Sequence, residues 1–288
     1  AAINGSPTQG FGYTTLMTNN GKMVNRGVEI TLSGEIIRQK DFSWNASLLY
    51  AFNRNKVKHI SVQPSLWDSR ISMPTSYPMV GKPLYGIYAY KWAGLNENGD
   101  PQVYDAENNV TSGPARDYHA LVYCGTTVPI HNASLTNVLR YKGFEFSAML
   151  ILDAGHKLRS SNIPSINMSN GRITSTAKGI VDRWTQPGDV TDVPRLLFSN
   201  DTENFNTHRT ELYRYSDLFV YDASNIRLSN ISLAYRVPAH WCKKISLSGA
   251  RLQFNVENVA TFAFDSKANY DLGGKVKPNY VWGLYLNF

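Results

Sequence analysis

The sequence has little charge, almost no cysteine and no long apolar run, and each shortage removes a class of protein. Charged residues make up 18% of the 288 positions, against about 25% in an ordinary soluble domain. That excludes a charge-rich disordered chain and a coiled coil. Apolar stretches such as residues 148–152 fall far short of the roughly 20 residues that a membrane-crossing helix needs. The two cysteines, Cys124 and Cys242, form no CxxC pair and have no histidine at zinc spacing. The six histidines, His59, His119, His131, His156, His208 and His240, show neither HxH nor HExxH, and neither GxSxG nor a Walker A run occurs. The expectation is therefore a protein that is not an enzyme and carries no cofactor. The net charge of +7 comes from 29 basic and 22 acidic residues, scattered rather than gathered into the stripe that nucleic acid requires, so no nucleic-acid partner is expected. The first residues, Ala1-Ala2-Ile3-Asn4-Gly5, lack the basic and apolar segments of a secretory leader. We expect either a removed leader or a start inside a larger protein.

Aromatic residues are abundant, with 17 Tyr, 12 Phe and 6 Trp, and the dominant period is two. Phe42, Trp44, Ala46, Leu48, Tyr50 and Phe52 alternate with Ser43, Asn45, Ser47, Leu49, Ala51 and Asn53. Successive side chains of a strand point to opposite faces, so this segment has one apolar face and one small or polar face. Val28, Ile30, Leu32 and Ile36 repeat the pattern. So do Phe144, Phe146, Ala148, Leu150 and Leu152, then Ala250, Leu252, Phe254 and Val256, then Tyr280, Trp282, Leu284, Leu286 and Phe288. Residues 135–141 and 226–237 are weaker versions; in the latter Ile231, Leu233 and Tyr235 carry the apolar face.

Seven strands follow, at 24–37, 42–53, 132–141, 144–153, 225–237, 248–258 and 280–288. A soluble β-sandwich produces the same alternation. Strand length favours a membrane barrel, because about 9–11 residues cross a bilayer at a steep tilt. Aromatic placement favours it too. Phe42, Trp44, Tyr141, Phe144 and Trp241 lie beside short turns, and Tyr50, Phe52, Tyr280 and Trp282 lie at the opposite strand ends, as lipid interfaces prefer. Connections 38–41, 142–143 and 238–245 are short, whereas 55–131, 157–223 and 261–279 are long. Short periplasmic turns and long external loops alternate in this way in outer-membrane barrels. The predicted fold class is all-β, the C-terminal segment of a large antiparallel transmembrane barrel in the outer membrane. Seven is odd and residues 1–23 would start outside, so an ascending strand is expected before Ala1. The same parity puts Cys124 in an external loop and Cys242 in a periplasmic turn, too far apart for a disulfide. Within the first long loop, residues 81–95, the turn Asn98-Gly99-Asp100-Pro101 and residues 102–105 read as an external hairpin.

Several stretches resemble the SusC/RagA-like TonB-dependent outer-membrane transporters. They are residues 19–30 and 52–57, residues 81–95 with Asn98-Gly99-Asp100-Pro101, Arg183-Trp184 with Pro187, Pro194 and Arg195, and residues 222–235. Their order and spacing look like the C-terminal third of that family. The resemblance implies that residues 1–288 are one part of a 22-stranded barrel whose plug and earlier strands lie elsewhere. It implies active uptake of oligosaccharides or peptides, energised through TonB by way of the N-terminal part, with a SusD-like lipoprotein as surface lid. Partners would then be the remainder of the barrel and plug, the lid, TonB, outer-membrane lipid and the ligand. The rival readings are a passive porin or structural barrel segment, and a soluble β-sandwich that binds carbohydrate.

Candidate site residues are few. Loop aromatics Trp67, Tyr77, Trp184, Tyr213 and Tyr215 could stack on a sugar ring, pack within the loops or contact the lid protein. Asn96, Asn98 and Asp100 place oxygens at alternate positions, as calcium loops do, but Asn, Gly and Asp also form plain turns and no Glu closes the loop. Lumen-facing Glu29, Glu35, Arg251 and Glu257 are expected to satisfy one another or to line a contact with the plug. Tyr280, Trp282, Leu284, Leu286 and terminal Phe288 resemble the last strand read by the barrel-insertion machinery.

Overall fold

The computed structural model describes residues 2–4, 15–17, 21–61, 69–113, 117–168, 176–198, 207–273 and 277–288. They form two compact units. One comprises residues 1–26, 54–127 and 157–220, and the other residues 27–53, 128–156 and 221–288.

The second unit is built on one seven-stranded sheet. Its strands are β1 (Gly21–Arg38), β2 (Phe42–Ile60), β3 (His131–Tyr141), β4 (Phe144–Ala154), β5 (Asn225–Arg236), β6 (Gly249–Ala263) and β7 (Asn279–Asn287). Each strand pairs with its neighbours in sequence, and β1 and β7 are the two edges. All seven expected strands are present. β1 and β2 are longer than the alternation suggested, at 18 and 19 residues, because β2 continues through Lys56-Val57-Lys58 without an apolar repeat. Polar residues extend a strand as readily as apolar ones once its neighbour supplies the ladder.

Turn chemistry sets the short connections. Lys142 and Gly143 both have positive φ, 44° and 89°, which a two-residue hairpin turn needs to match the strand twist. A Cβ on Gly143 would stand 3.1 Å from the Arg236 carbonyl oxygen, so glycine also permits the close approach of β5.

Register produces the two faces. Phe42, Trp44, Leu48 and Tyr50 lie opposite Tyr141, Leu139, Leu135 and Ala133, which lie opposite Phe144, Phe146, Leu150 and Leu152. Along β5 the parity changes. Tyr235, Leu233 and Ile231 oppose Phe144, Phe146 and Ala148, but beyond a shift at Met149 it is Leu228 and Ile226 that oppose Leu150 and Leu152. Ser229 is the extra residue. A bulge reverses which side chains reach a given face, so odd-numbered and even-numbered apolar residues of one strand share one surface. β6 carries a matching irregularity against Leu228 and Asn230, where Asn258 takes a φ of 53°.

The first unit contains most of the long connections. Gly86–Tyr90 pairs with Leu121–Thr126, and Trp92–Leu95, Pro101–Tyr104 and Val110–Thr111 form a small three-stranded sheet. The expected hairpin across Asn98-Gly99-Asp100-Pro101 therefore forms, but its first segment, Gly86–Tyr90, joins a different partner. Tyr88, Tyr90, Val103, Ala120, Leu121 and Leu212 make a closed core, the last coming from helix Thr207–Arg214.

Candidate functional site

Two surfaces carry chemistry: the faces of the large sheet, and the knot of polar side chains that organises the long connections. On the sheet, the apolar face is uncovered. Val28, Leu32 and Trp282 are 57%, 61% and 78% exposed, far from the burial such residues reach in a soluble core. Two pairs of hydrogen-bonding groups on this face satisfy each other. Trp44 Nε1 donates to Asn137 Oδ1 at 3.0 Å, and Tyr50 Oη lies 2.8 Å from His131 Nδ1.

The opposite face is a polar network. Glu145 accepts from Arg140 Nε at 2.7 Å and from Arg251 Nη2 at 3.0 Å. Asp153 accepts from Asn132 Nδ2 at 2.7 Å and Arg227 Nη2 at 3.4 Å. Gln253 Nε2 reaches Ser232 and Asn255, and Ser33 meets Ser47. Of Glu29, Glu35, Arg251 and Glu257, expected to satisfy one another or to line a contact with the plug, two find other partners. Arg251 pairs with Glu145, and Glu35 pairs with Arg38 three residues along its own strand. Cross-strand geometry decides this, because Arg251 is brought beside β4 only through β5.

In the first unit, Asp100 is the centre. Its carboxylate accepts from Arg195 Nε and Nη2 at 3.1 and 2.8 Å and from Arg209 Nε at 3.1 Å. The Arg209 side chain is 4% exposed and also donates to the carbonyls of Ile166 and Arg195 and to Asn167 Oδ1. Asn96 Oδ1 accepts the backbone N–H groups of Asn98 and Asp100. The run Asn96, Asn98 and Asp100 is thus a side-chain-capped turn whose one carboxylate is held by two guanidinium groups. For calcium to bind here, it would have to displace both arginines. Among the described residues no cluster suited to a metal ion occurs.

The loop aromatics fall in different places. Trp67 lies outside the described residues. Trp184 packs on Gly99, where a Cβ would stand 2.4 Å from the indole and φ is 74°. Tyr213 is 2% exposed, its ring against Trp92 and edge-on to Phe219, so it is a core residue with no face left for a ligand. Tyr215 is flanked by the guanidinium groups of Arg159 and Arg214 at 5.4 and 5.7 Å. Tyr77 is half-buried and closes a turn on Met73. On β7, Tyr280, Trp282, Leu284 and Leu286 share the apolar face and Phe288 is 92% exposed. Register corrects the placing of Trp282 at the end away from the short turns: Trp282 opposes Phe254, Phe254 opposes Leu233, and Leu233 opposes Phe146, the third residue of β4 after the 142–143 turn.

Sequence reasoning missed the two interior arginines, Arg159 and Arg209. Arg159 donates to the carbonyls of Tyr88, Arg214 and Ser216. Neither stands in a motif: Arg159 binds backbone carbonyls and needs no acid, and the acid that meets Arg209, Asp100, lies 109 positions away. Both cysteines are free. Burial pushes the Cys124 thiol up to about 11. Burial also lowers His156, opposed by Asp153 and Asp222, and its Nδ1 has no partner among the described residues.

No protein-family model matches the sequence. Individual proteins do. TonB-dependent receptor P3 of Formosa agariphila is 24% identical over 294 residues, 95% of this chain and 28% of that protein. TonB-dependent receptor SusC of Bacteroides thetaiotaomicron is 22% identical over 263 residues, 86% of this chain and 24% of that one. Among solved structures, the RagAB peptide transporter superposes with a TM-score of 0.71 at 21% identity, covering 96% of this chain and 31% of the other. The chain spans less than a third of the length of the relatives that it matches. Its fold is that of the C-terminal part of a TonB-dependent transporter barrel.

Proposed function

We propose that this chain, homologous over most of its length to TonB-dependent receptors and SusC, forms part of an active nutrient importer of the outer membrane. The observation that carries the reading is the seven-stranded meander with one uncovered apolar face and one hydrogen-bonded polar face. That division suits strands with lipid on one side and an aqueous lumen on the other. Both sheet edges carry unpaired backbone groups that hydrocarbon does not tolerate, so β1 and β7 take further strands from the rest of the barrel. Transport needs no covalent chemistry from these residues. A ligand is captured on the long-connection side, energy from TonB rearranges a plug, and the solute passes along the polar face. The likeness to the RagAB peptide transporter supports a peptide cargo; an oligosaccharide cargo and a surface lipoprotein partner are what the resemblance to SusC/RagA-like transporters implies.

The test is uptake of labelled oligopeptides and oligosaccharides by cells carrying the full-length transporter, with and without TonB, together with affinity purification from detergent extracts. The expected result is TonB-dependent uptake of one cargo class and a co-purifying lipoprotein. Uptake that survives loss of TonB would return the chain to a passive porin. Full recovery in buffer without detergent would return it to a soluble sandwich.

A further inference from the structure

The end of the sheet that carries the short connections is unevenly charged. Connections 39–41, 142–143 and 237–248 hold Lys40, Lys142, Lys243 and Lys244 against one acid, Asp41. None of these lysines forms an ion pair among the described residues. The helix Ala239–Lys243 in the last of these connections leaves Trp241 and, just beyond, Ile245 exposed beside Lys243 and Lys244. Indole, aliphatic side chain and ammonium together fit the boundary between hydrocarbon and headgroups.

Next to this rim the apolar face holds a groove of about 360 Å³, lined by Phe144, Leu233, Tyr235, Leu252, Phe254 and Trp282. Its walls are two ring pairs, Phe144 with Tyr235 at 4.5 Å and Phe254 with Trp282 at 4.2 Å between centroids. Leu233 and Leu252 are the register partners of Phe254 and Tyr235 and are shorter than the rings beside them, so a channel remains. Lys142 lies two residues before Phe144, in the turn that precedes β4. The Lys142 Nζ lies 5.4 Å from the centroid of the Tyr141 ring, and Tyr141 is the register partner of Phe144.

We infer that this groove and rim bind one anionic glycerophospholipid of the leaflet that meets the short turns. An acyl chain lies between the two aromatic pairs, and the phosphate is held by Lys142 with Lys243 and Lys244. Charge complementarity selects the occupant. A zwitterionic lipid offers the same chain, but its own cation offsets the attraction of the rim, whereas basic clusters beside a membrane surface favour anionic headgroups. The inference rests on the membrane-barrel reading given above.

Trp282 supplies the probe. The full-length transporter is reconstituted in phosphatidylcholine vesicles containing phosphatidylglycerol with brominated acyl chains, or brominated phosphatidylcholine at the same mole fraction. The quenched component is assigned by its loss in Trp282→Phe. Brominated phosphatidylglycerol should quench Trp282 at a mole fraction at least about tenfold lower than brominated phosphatidylcholine. Each of Lys142→Gln, Lys243→Gln and Lys244→Gln should weaken that preference by up to about fivefold, the scale of one basic residue at an anionic surface. Phe254→Ala should weaken quenching by both lipids. Equal quenching by the two lipids in a protein that inserts and shifts on heating in gels would overturn the lipid site and leave the barrel reading intact. A triple lysine variant that keeps the full preference would overturn it too. A protein that fails to insert, or a Trp282 that neither lipid quenches, would overturn the barrel reading and the inference with it.

Discussion

Replacing Asp100 with Asn tests whether the long connections are organised around a single carboxylate. The substitution preserves shape and one acceptor oxygen but removes the charge that holds two guanidinium groups. The Asp100–Arg195 pair is bidentate and about a fifth exposed on both partners, at 22% and 24%, and contributes about 1 kcal/mol. Arg209 is different, because its side chain is 4% exposed and Asp100 is its sole carboxylate partner among the described residues. Removing one partner of a buried pair costs about 3–5 kcal/mol. The substituted amide would keep one hydrogen bond and Arg209 would keep its carbonyl contacts, so the expected local loss is about 2–3 kcal/mol. That corresponds to roughly 30- to 150-fold more frequent local opening. Hydrogen exchange on the full-length protein reads it directly. The amides of Asn96, Gly99, Arg195 and Leu197, which bond to Asp100, Asn96, Gly99 and Ile166 respectively, should exchange faster by that factor, while β3 and β4 keep their protection. Exchange at those four amides within about threefold of wild type would refute the assignment of Asp100 as the centre of the knot.

Three other expectations follow from buried or terminal groups. Burial holds His156 below its usual 6.5, so the unfolded chain binds more protons as pH falls. Local stability should be full above about pH 6.5 and decline as pH drops through the folded value. The Ala223 amide, bonded to the His156 carbonyl at 3.0 Å, should lose protection between pH 7.5 and 5.5 after intrinsic correction, and an identical loss in His156→Gln would exclude the histidine. With the Cys124 thiol near 11, about one in three thousand is ionised at pH 7.5, and Cys242 is 1% exposed. Both should react slowly with maleimide in the folded protein and quickly after denaturation, and non-reducing peptide mapping should find no Cys124–Cys242 bridge. Deleting Phe288 should lower the yield of inserted, heat-modifiable barrel. An unchanged yield would make β7 an ordinary edge strand.

The faces of the sheet were legible because alternation is a local property. Residues 42–53 declare their period within a dozen positions, and no distant partner is needed to assign the aromatic side. β5 shows where that reading fails. Ile226 and Leu228 are out of phase with Ile231, Leu233 and Tyr235, so the strand looks weak when scanned at a fixed period of two. The extra residue at Ser229 restores one apolar surface, but a bulge is defined by two strands against one another. The sequence of one strand does not disclose it. The overlong ends of β1 and β2 were hidden for a related reason, since their polar residues carry no repeat.

The loop residues were harder still, because aromatic rings and turn formers serve packing and binding alike. Trp184 looks the same in sequence whether it faces a sugar or covers a glycine. The discriminating fact is Gly99, 85 positions away, whose positive φ and missing Cβ make room for the indole. Asp100 looks like a metal ligand until Arg195 and Arg209 arrive from connections about 100 residues downstream. A single carboxylate can neutralise one buried guanidinium and brace another only if the chain brings all three together. That cost in loop closure grows slowly with length. Long connections can thus be ordered by a few charged contacts between residues far apart in sequence, and such contacts leave no spacing for a motif to record. Local periodicity disclosed the sheet and its apolar face, while the long connections are specified by long-range pairs.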